Sequence, residues 1–168
     1  AELLTGHALM VDSGCLVRGA VRKYWLAQDF IASVAHDEIA RVEFADSMDA
    51  IYDKAYELGW TDGLPIIPPT EERVQAFVSY LKRDPAEVIA EIPPSFGVAT
   101  IEKVVVNAVM AGCRPEYLPV LLAAIEAIME PPFNLNGIQA TTGPAAPLLI
   151  INGPIRNQIG VNCGSNAL

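Results

Sequence analysis

Charge is what this sequence lacks first, and the lack is local. The 38 residues from 131 to 168 carry one formal charge, Arg156, and all 20 acidic residues lie at or before Glu130. At average usage a surface stretch of that length would hold about nine charged residues. Pro131, Pro132, Asn134, Asn136, Pro144, Pro147, Asn152 and Pro154 interrupt every apolar stretch well below ~18 residues, which excludes a membrane span. The segment is therefore expected inside a core or a subunit interface.

Histidine and paired cysteine are also scarce. Two histidines, His7 and His36, exclude a multi-histidine metal site within one chain. Cys15, Cys113 and Cys163 are widely spaced, with no C-x-x-C, so neither a zinc cluster nor a disulfide framework is expected. A reducing cytoplasm is the default expectation for such a chain. Leu3 to Val11 is interrupted by Thr5, Gly6 and His7 without a basic stretch before it, unlike a signal peptide. A Walker loop, G-x-G-x-x-G, G-x-S-x-G and H-E-x-x-H are all missing. Basic residues are few enough that the net charge is −9, which argues against nucleic acid. No cofactor follows from these residues; a carboxylate metal site using residues such as Asp62 stays open, without a spacing signature to assign it.

What is present is apolar: 52% hydrophobic against 18% charged residues, with a mean hydropathy of +0.32. That composition excludes a disordered chain. Residues 1–46 read as an N-terminal arm followed by a helix from about Leu16 to Ala35. Residues 47–168 read as an α/β domain. The chain opens on Ala1 and stops at Asn166-Ala167-Leu168, so the domain is expected to continue as part of something larger, covalently or by assembly.

Capping residues place the helices. Ser47 caps one to Leu58, and Thr70 caps another carrying Val74, Phe77, Val78 and Leu81. Asp84-Pro85 with Glu87 predicts a shorter helix. A loop from Ile92 leads toward a short strand. Thr100 starts a helix ending near Gly112, and Arg114-Pro115 opens the next, the two forming an apolar hairpin. Past Asn136-Gly137 the pattern predicts strands at 138–142 and 147–151. The expectation is an α+β or irregular α/β fold, helical in its N-terminal two thirds, with strands and Gly/Asn-rich loops in the last third.

The uncharged segment also offers a candidate site. Asn136, Gln139, Thr141, Thr142, Asn152 and Asn162 can hydrogen-bond a ligand or an oxyanion, and Arg156 can anchor an anionic group. Cys163 is the candidate nucleophile, although only Arg156 is near it in sequence to lower its pKa. Asp62, between Trp60 and a rigid proline run, is a candidate catalytic carboxylate. The same Asn and Gly residues also serve simply as turn punctuation. His7, Asp12, Ser13 and Cys15 lie close in sequence, but an N-terminal arm is a poor platform for a triad.

Two stretches together resemble a known group. Thr61-Asp62-Gly63-Leu64-Pro65-Ile66-Ile67-Pro68-Pro69-Thr70-Glu71-Glu72-Arg73-Val74 and Val106-Asn107-Ala108-Val109-Met110-Ala111-Gly112-Cys113-Arg114-Pro115-Glu116-Tyr117 are similar to bacterial UGSC-type proteins, a thiol or selenocysteine family. Phe133 to Thr142 and Asn152-Gly153-Pro154 extend the likeness over about residues 60–168. The resemblance implies a redox-linked protein whose chain continues past this point. The Cys-Gly-Ser-Cys motif is absent, because Cys163-Gly164-Ser165 is followed by Asn166, so a dithiol mechanism does not carry over. The leading expectation is a subunit or fragment of a small-molecule enzyme with an uncharged Gly/Asn/Thr loop site, thiol-dependent chemistry being one option. The alternative is a non-catalytic structural subunit whose C-terminal segment is an obligate interface. Both expect further copies or other subunits as partners, and the first expects a small-molecule ligand.

Overall fold

A computed structural model describes residues 47–165. The expected arm and first helix, with His7, Cys15 and His36, lie outside the described residues. Among the described residues the fold is α+β: helices and one two-stranded antiparallel sheet.

The caps act where the sequence places them. Ser47 Oγ accepts the Ala50 N–H ahead of α1 (Met48–Glu57), Thr70 Oγ1 the Arg73 N–H ahead of α2 (Glu71–Leu81), and Thr100 Oγ1 the Lys103 N–H ahead of α3 (Ile101–Met110). Each satisfies one donor that the first helical turn leaves open. A 3-10 turn, Pro115–Tyr117, leads into α4 (Leu118–Met129).

The helix expected from Asp84 does not form. Asp84 Oδ1 accepts the Ala86 N–H at 2.9 Å in a tight turn, and Arg83 holds the Glu87 carboxylate that would otherwise reach back to cap. The chain then enters β1 (Val88–Ile92), which pairs with β2 (Gly97–Thr100). Glu87 C=O accepts the Ile101 N–H at 2.9 Å, tying the sheet's open end to the start of α3.

One core holds these elements. Val74, Phe77 and Val78 of α2 meet Val104, Val105, Ala108 and Val109 of α3, with Leu118, Leu122 and Ile125 of α4 and Ala99 of β2. The apolar stripes at 3.6-residue spacing are what bring these three helices together. The two helices do not pack as the expected close hairpin: α2 lies mainly on α3, while α4 lies against β1 and also touches α2. A smaller cluster of Ala55, Ile66 and Met110 fixes α1 and the Trp60–Pro69 loop to the end of α3.

The C-terminal third differs most from expectation. Residues expected as a strand at 138–142 belong largely to α5 (Leu135–Ala140). Asn134 takes a left-handed conformation (φ 52°) and its Oδ1 caps the Gly137 N–H, so Asn136-Gly137 falls inside a helix instead of marking a turn. Residues 144–152 form no strand and are followed by one turn of helix, α6 (Ile155–Gln158). This segment is outside the core: Leu148, Leu149 and Ile150 are 66%, 47% and 77% exposed. Of the two places expected for the uncharged segment, the core is excluded for residues 141–165.

Candidate functional site

The Trp60–Pro69 loop is held from within. Thr61, buried, donates its Oγ1 hydrogen to Leu64 C=O at 2.6 Å and accepts the Gly63 N–H at 3.2 Å. Tyr52 Oη donates to Gly63 C=O, and the Ile67 N–H donates to Met110 C=O at 3.1 Å. The turn's polar groups are thereby satisfied locally, and Asp62 is left exposed on its outer side. The loop's geometry follows from its own hydrogen bonds and its prolines, without any role for the Asp62 carboxylate.

The expected ligand-binding side chains are similarly local. Thr141 Oγ1 accepts the Gly143 N–H at 3.1 Å, and Asn162 Oδ1 accepts the Gly164 N–H at 3.2 Å. These are the hydrogen bonds of side-chain turns, the bland role open to them from sequence. Asn136, Thr142, Asn152, Arg156 and Cys163 are exposed, and Gln139 is half-buried. Arg156 makes no ion pair among the described residues. No group of His, Cys, Asp or Glu side chains able to hold a metal ion occurs among the described residues. No single helix there is long and apolar enough to cross a membrane.

The C-terminal segment does meet the helical body in one place. Cys113, Tyr117, Val120 and Leu121 form one wall of a cleft of about 260 Å³, and Leu149, Ile151, Ile159, Gly160 and Val161 form the other. The first wall exists because the chain turns at Gly112 (φ 76°), just past the end of α3, where the Ile67 side chain lies 3.8 Å from the place a Cβ would occupy. That left-handed turn sets Cys113 at the cleft. Of the expected site residues, Asn152 and Asn162 are chain neighbours of Ile151 and Val161 in the opposite wall, and Cys163 follows directly. Asp62 and Asn136 belong to other parts of the chain.

The cleft's chemistry is apolar. Only Cys113 and Tyr117 among its lining residues carry a polar side-chain atom. Burial pushes the Cys113 thiol above its ordinary pKa, so at neutral pH it is a neutral thiol and a weak nucleophile. The lining supplies no carboxylate or imidazole to act as its base. Sequence reading placed the reactive thiol at Cys163 and set Cys113 aside as packed; the structure half-buries Cys113 at the cleft. Its position directly after a helix-ending Gly was the available signal.

Comparison with models of known families, with curated proteins and with solved structures finds no match to this chain.

Proposed function

We propose that residues 141–165 form an interface, and that this chain works as a non-catalytic subunit held in a larger assembly through it. The observation that carries the reading is the exposed run Leu148-Leu149-Ile150 within an almost uncharged stretch. Apolar surface left in water forgoes about 25 cal/mol per Å². A contiguous run of large side chains is thus favoured to meet another surface. The local hydrogen bonding of Thr141 and Asn162 supports the same reading, since it gives those side chains a turn-forming task.

The cleft favours a second reading, a fragment of a small-molecule enzyme with thiol chemistry. Its volume of about 260 Å³ lies just below the roughly 300–1,000 Å³ of ordinary ligand sites. Its lining brings no acid or base to the thiol, which leaves the interface reading ahead.

Substitution in the native assembly separates the two. The interface reading expects Leu148→Lys with Ile150→Lys to release the chain, and Cys113→Ala or Cys163→Ala to leave both assembly and any turnover intact. Loss of turnover from an intact assembly in either alanine variant would establish the enzyme reading. Retention of the doubly charged variant in the assembly would overturn the interface.

A further inference from the structure

Helix α1 carries more apolar surface than the rest of the described fold covers. Ala55 is sealed against Ile66 and Met110, yet Met48 is 67% and Tyr56 61% exposed. Met48, Tyr52 and Tyr56 recur four residues apart, which sets them in one row along the helix. Tyr52 Oη donates to Gly63 C=O, so the loop lies beside this row just before the exposed Leu64. Asp49, Asp53 and Glu57 each follow a member of the row by one residue and form a parallel acidic row, exposed throughout. Lys54 pairs with Glu57 at 2.8 Å, while Asp49 and Asp53 have no ion pair among the described residues. No residue of α1 lines the cleft or belongs to 141–165, so this surface is independent of the interface proposed above.

We propose that residues 16–35 of the same chain cover this face, docked antiparallel on α1. The described residues begin at Ser47, the cap of α1 itself, and 46 residues precede it. The sequence pattern of 16–35 is the counterpart of that on α1. Val17, Val21 and Trp25 recur four residues apart, and Arg18 and Arg22 each follow a member of that row by one residue. Residues 13–28 hold Arg18, Arg22 and Lys23 and no acidic residue. Residues 48–62 hold Asp49, Asp53, Glu57 and Asp62 against Lys54 alone.

Helices packed antiparallel bring the same flank of each apolar row together, and the charges on that flank select partner and orientation. Setting Val21 opposite Tyr52 brings Arg22 beside Asp53 and Arg18 beside Glu57. In that register Ala35 falls about 15 Å beyond the start of α1, with the helix axes ~10 Å apart. Residues 36–46 reach ~36 Å when extended, enough to make the connection. Apolar rows alone accept many occupants. The opposed charges and the tether, which acts as an effective concentration in the mM range, single out this one. Docking also covers the Met48 and Tyr56 side chains that α1 otherwise leaves in water.

Hydrogen exchange and peroxide oxidation of the full chain test the docking. The amides of 16–35 should exchange slowly at every protein concentration, and Met48 should oxidise slowly. Arg18→Glu with Arg22→Glu places like charges against the acidic row and should raise both rates about tenfold. Asp53→Lys with Glu57→Lys should do the same. Combining all four restores opposed charges in reverse and should bring both rates back, a rescue that damage to the fold does not give. The amides of α3 and α4 should stay protected in every variant.

Free exchange of 16–35 in the unaltered chain, or rates indifferent to both reversals, overturns the docking. Failure of the combined variant to recover overturns the charge-matched arrangement. Protection that appears only on concentrating the protein overturns it as well, because the segment then sits on another copy.

Discussion

Cys113 and Cys163 differ in surroundings more than in sequence, since each adjoins a glycine. Cys113 packs against the main core, half-buried beside Tyr117, Val120 and Leu121, and burial raises its pKa. Cys163 is exposed. At neutral pH iodoacetamide should therefore label Cys163 well before Cys113, and peptide mass spectrometry of a time course would read the order. Labelling of Cys113 should accelerate only as the pH rises above the ordinary thiol range of about 8.5, because the thiolate is the reacting form. Stability follows the same sign. The unfolded chain ionises Cys113 first, so this thiol's contribution is complete below the unfolded pKa and falls as pH rises toward the raised folded value. Faster labelling of Cys113 at neutral pH would contradict the buried, neutral thiol. The Cys113 environment was hidden in the sequence because half of it comes from residues near 150 and 160, far along the chain.

At the scale of elements, legibility followed how locally each hydrogen bond closes. A helix satisfies its backbone within itself, and the caps Ser47, Thr70 and Thr100 were readable one turn ahead of their targets. Asp84 carried a similar signal, but Arg83 competes for Glu87 and the chain turns into β1 instead. Asn134 shows the opposite failure. Asn136-Gly137 looked like a turn, and the decision is made two residues earlier, where Asn134 adopts φ 52° and caps α5. Replacing Asn134 by Ala removes the cap and leaves a residue without a local polar side chain in the left-handed conformation, whose cost is roughly 1–2 kcal/mol, with about 1 kcal/mol more for the cap. Asn134→Gly keeps the backbone free and should cost only a few tenths of a kcal/mol. Urea unfolding of the two variants would check the ordering. Equal losses would mean that the left-handed geometry is not what the position demands. Residues 147–151 had the composition of a strand, yet strand formation requires a partner, and no local pattern states whether one is present.

Along the sequence the molecule divides by charge, with all 20 acidic residues at or before Glu130 and one formal charge after it. The helices α2, α3 and α4 supply a core in which Ile101, Val105 and Leu118 are essentially sealed from water, while the apolar run at 148–150 stays outside it. Folding and the proposed interface thus draw on different residues. Association of two such chains through the proposed interface would bring net charges of −9 together. Their acidic surfaces repel at long range, and the repulsion is screened over about 8 Å at physiological ionic strength against roughly 30 Å at 0.01 M. Raising salt across that range should therefore tighten self-association, in contrast to an interface built on ion pairs, which salt weakens. Apolar burial adds to the same trend when the anion is strongly excluded from protein surfaces, as sulfate is. Sedimentation at several chloride concentrations, repeated in sulfate, would read the dissociation constant directly. A constant that rises with salt would mean that Arg156, the single charge of the face, meets carboxylates of the other chain and governs the contact. A constant that falls, and falls further in sulfate, is the behaviour expected of an apolar contact between two acidic chains.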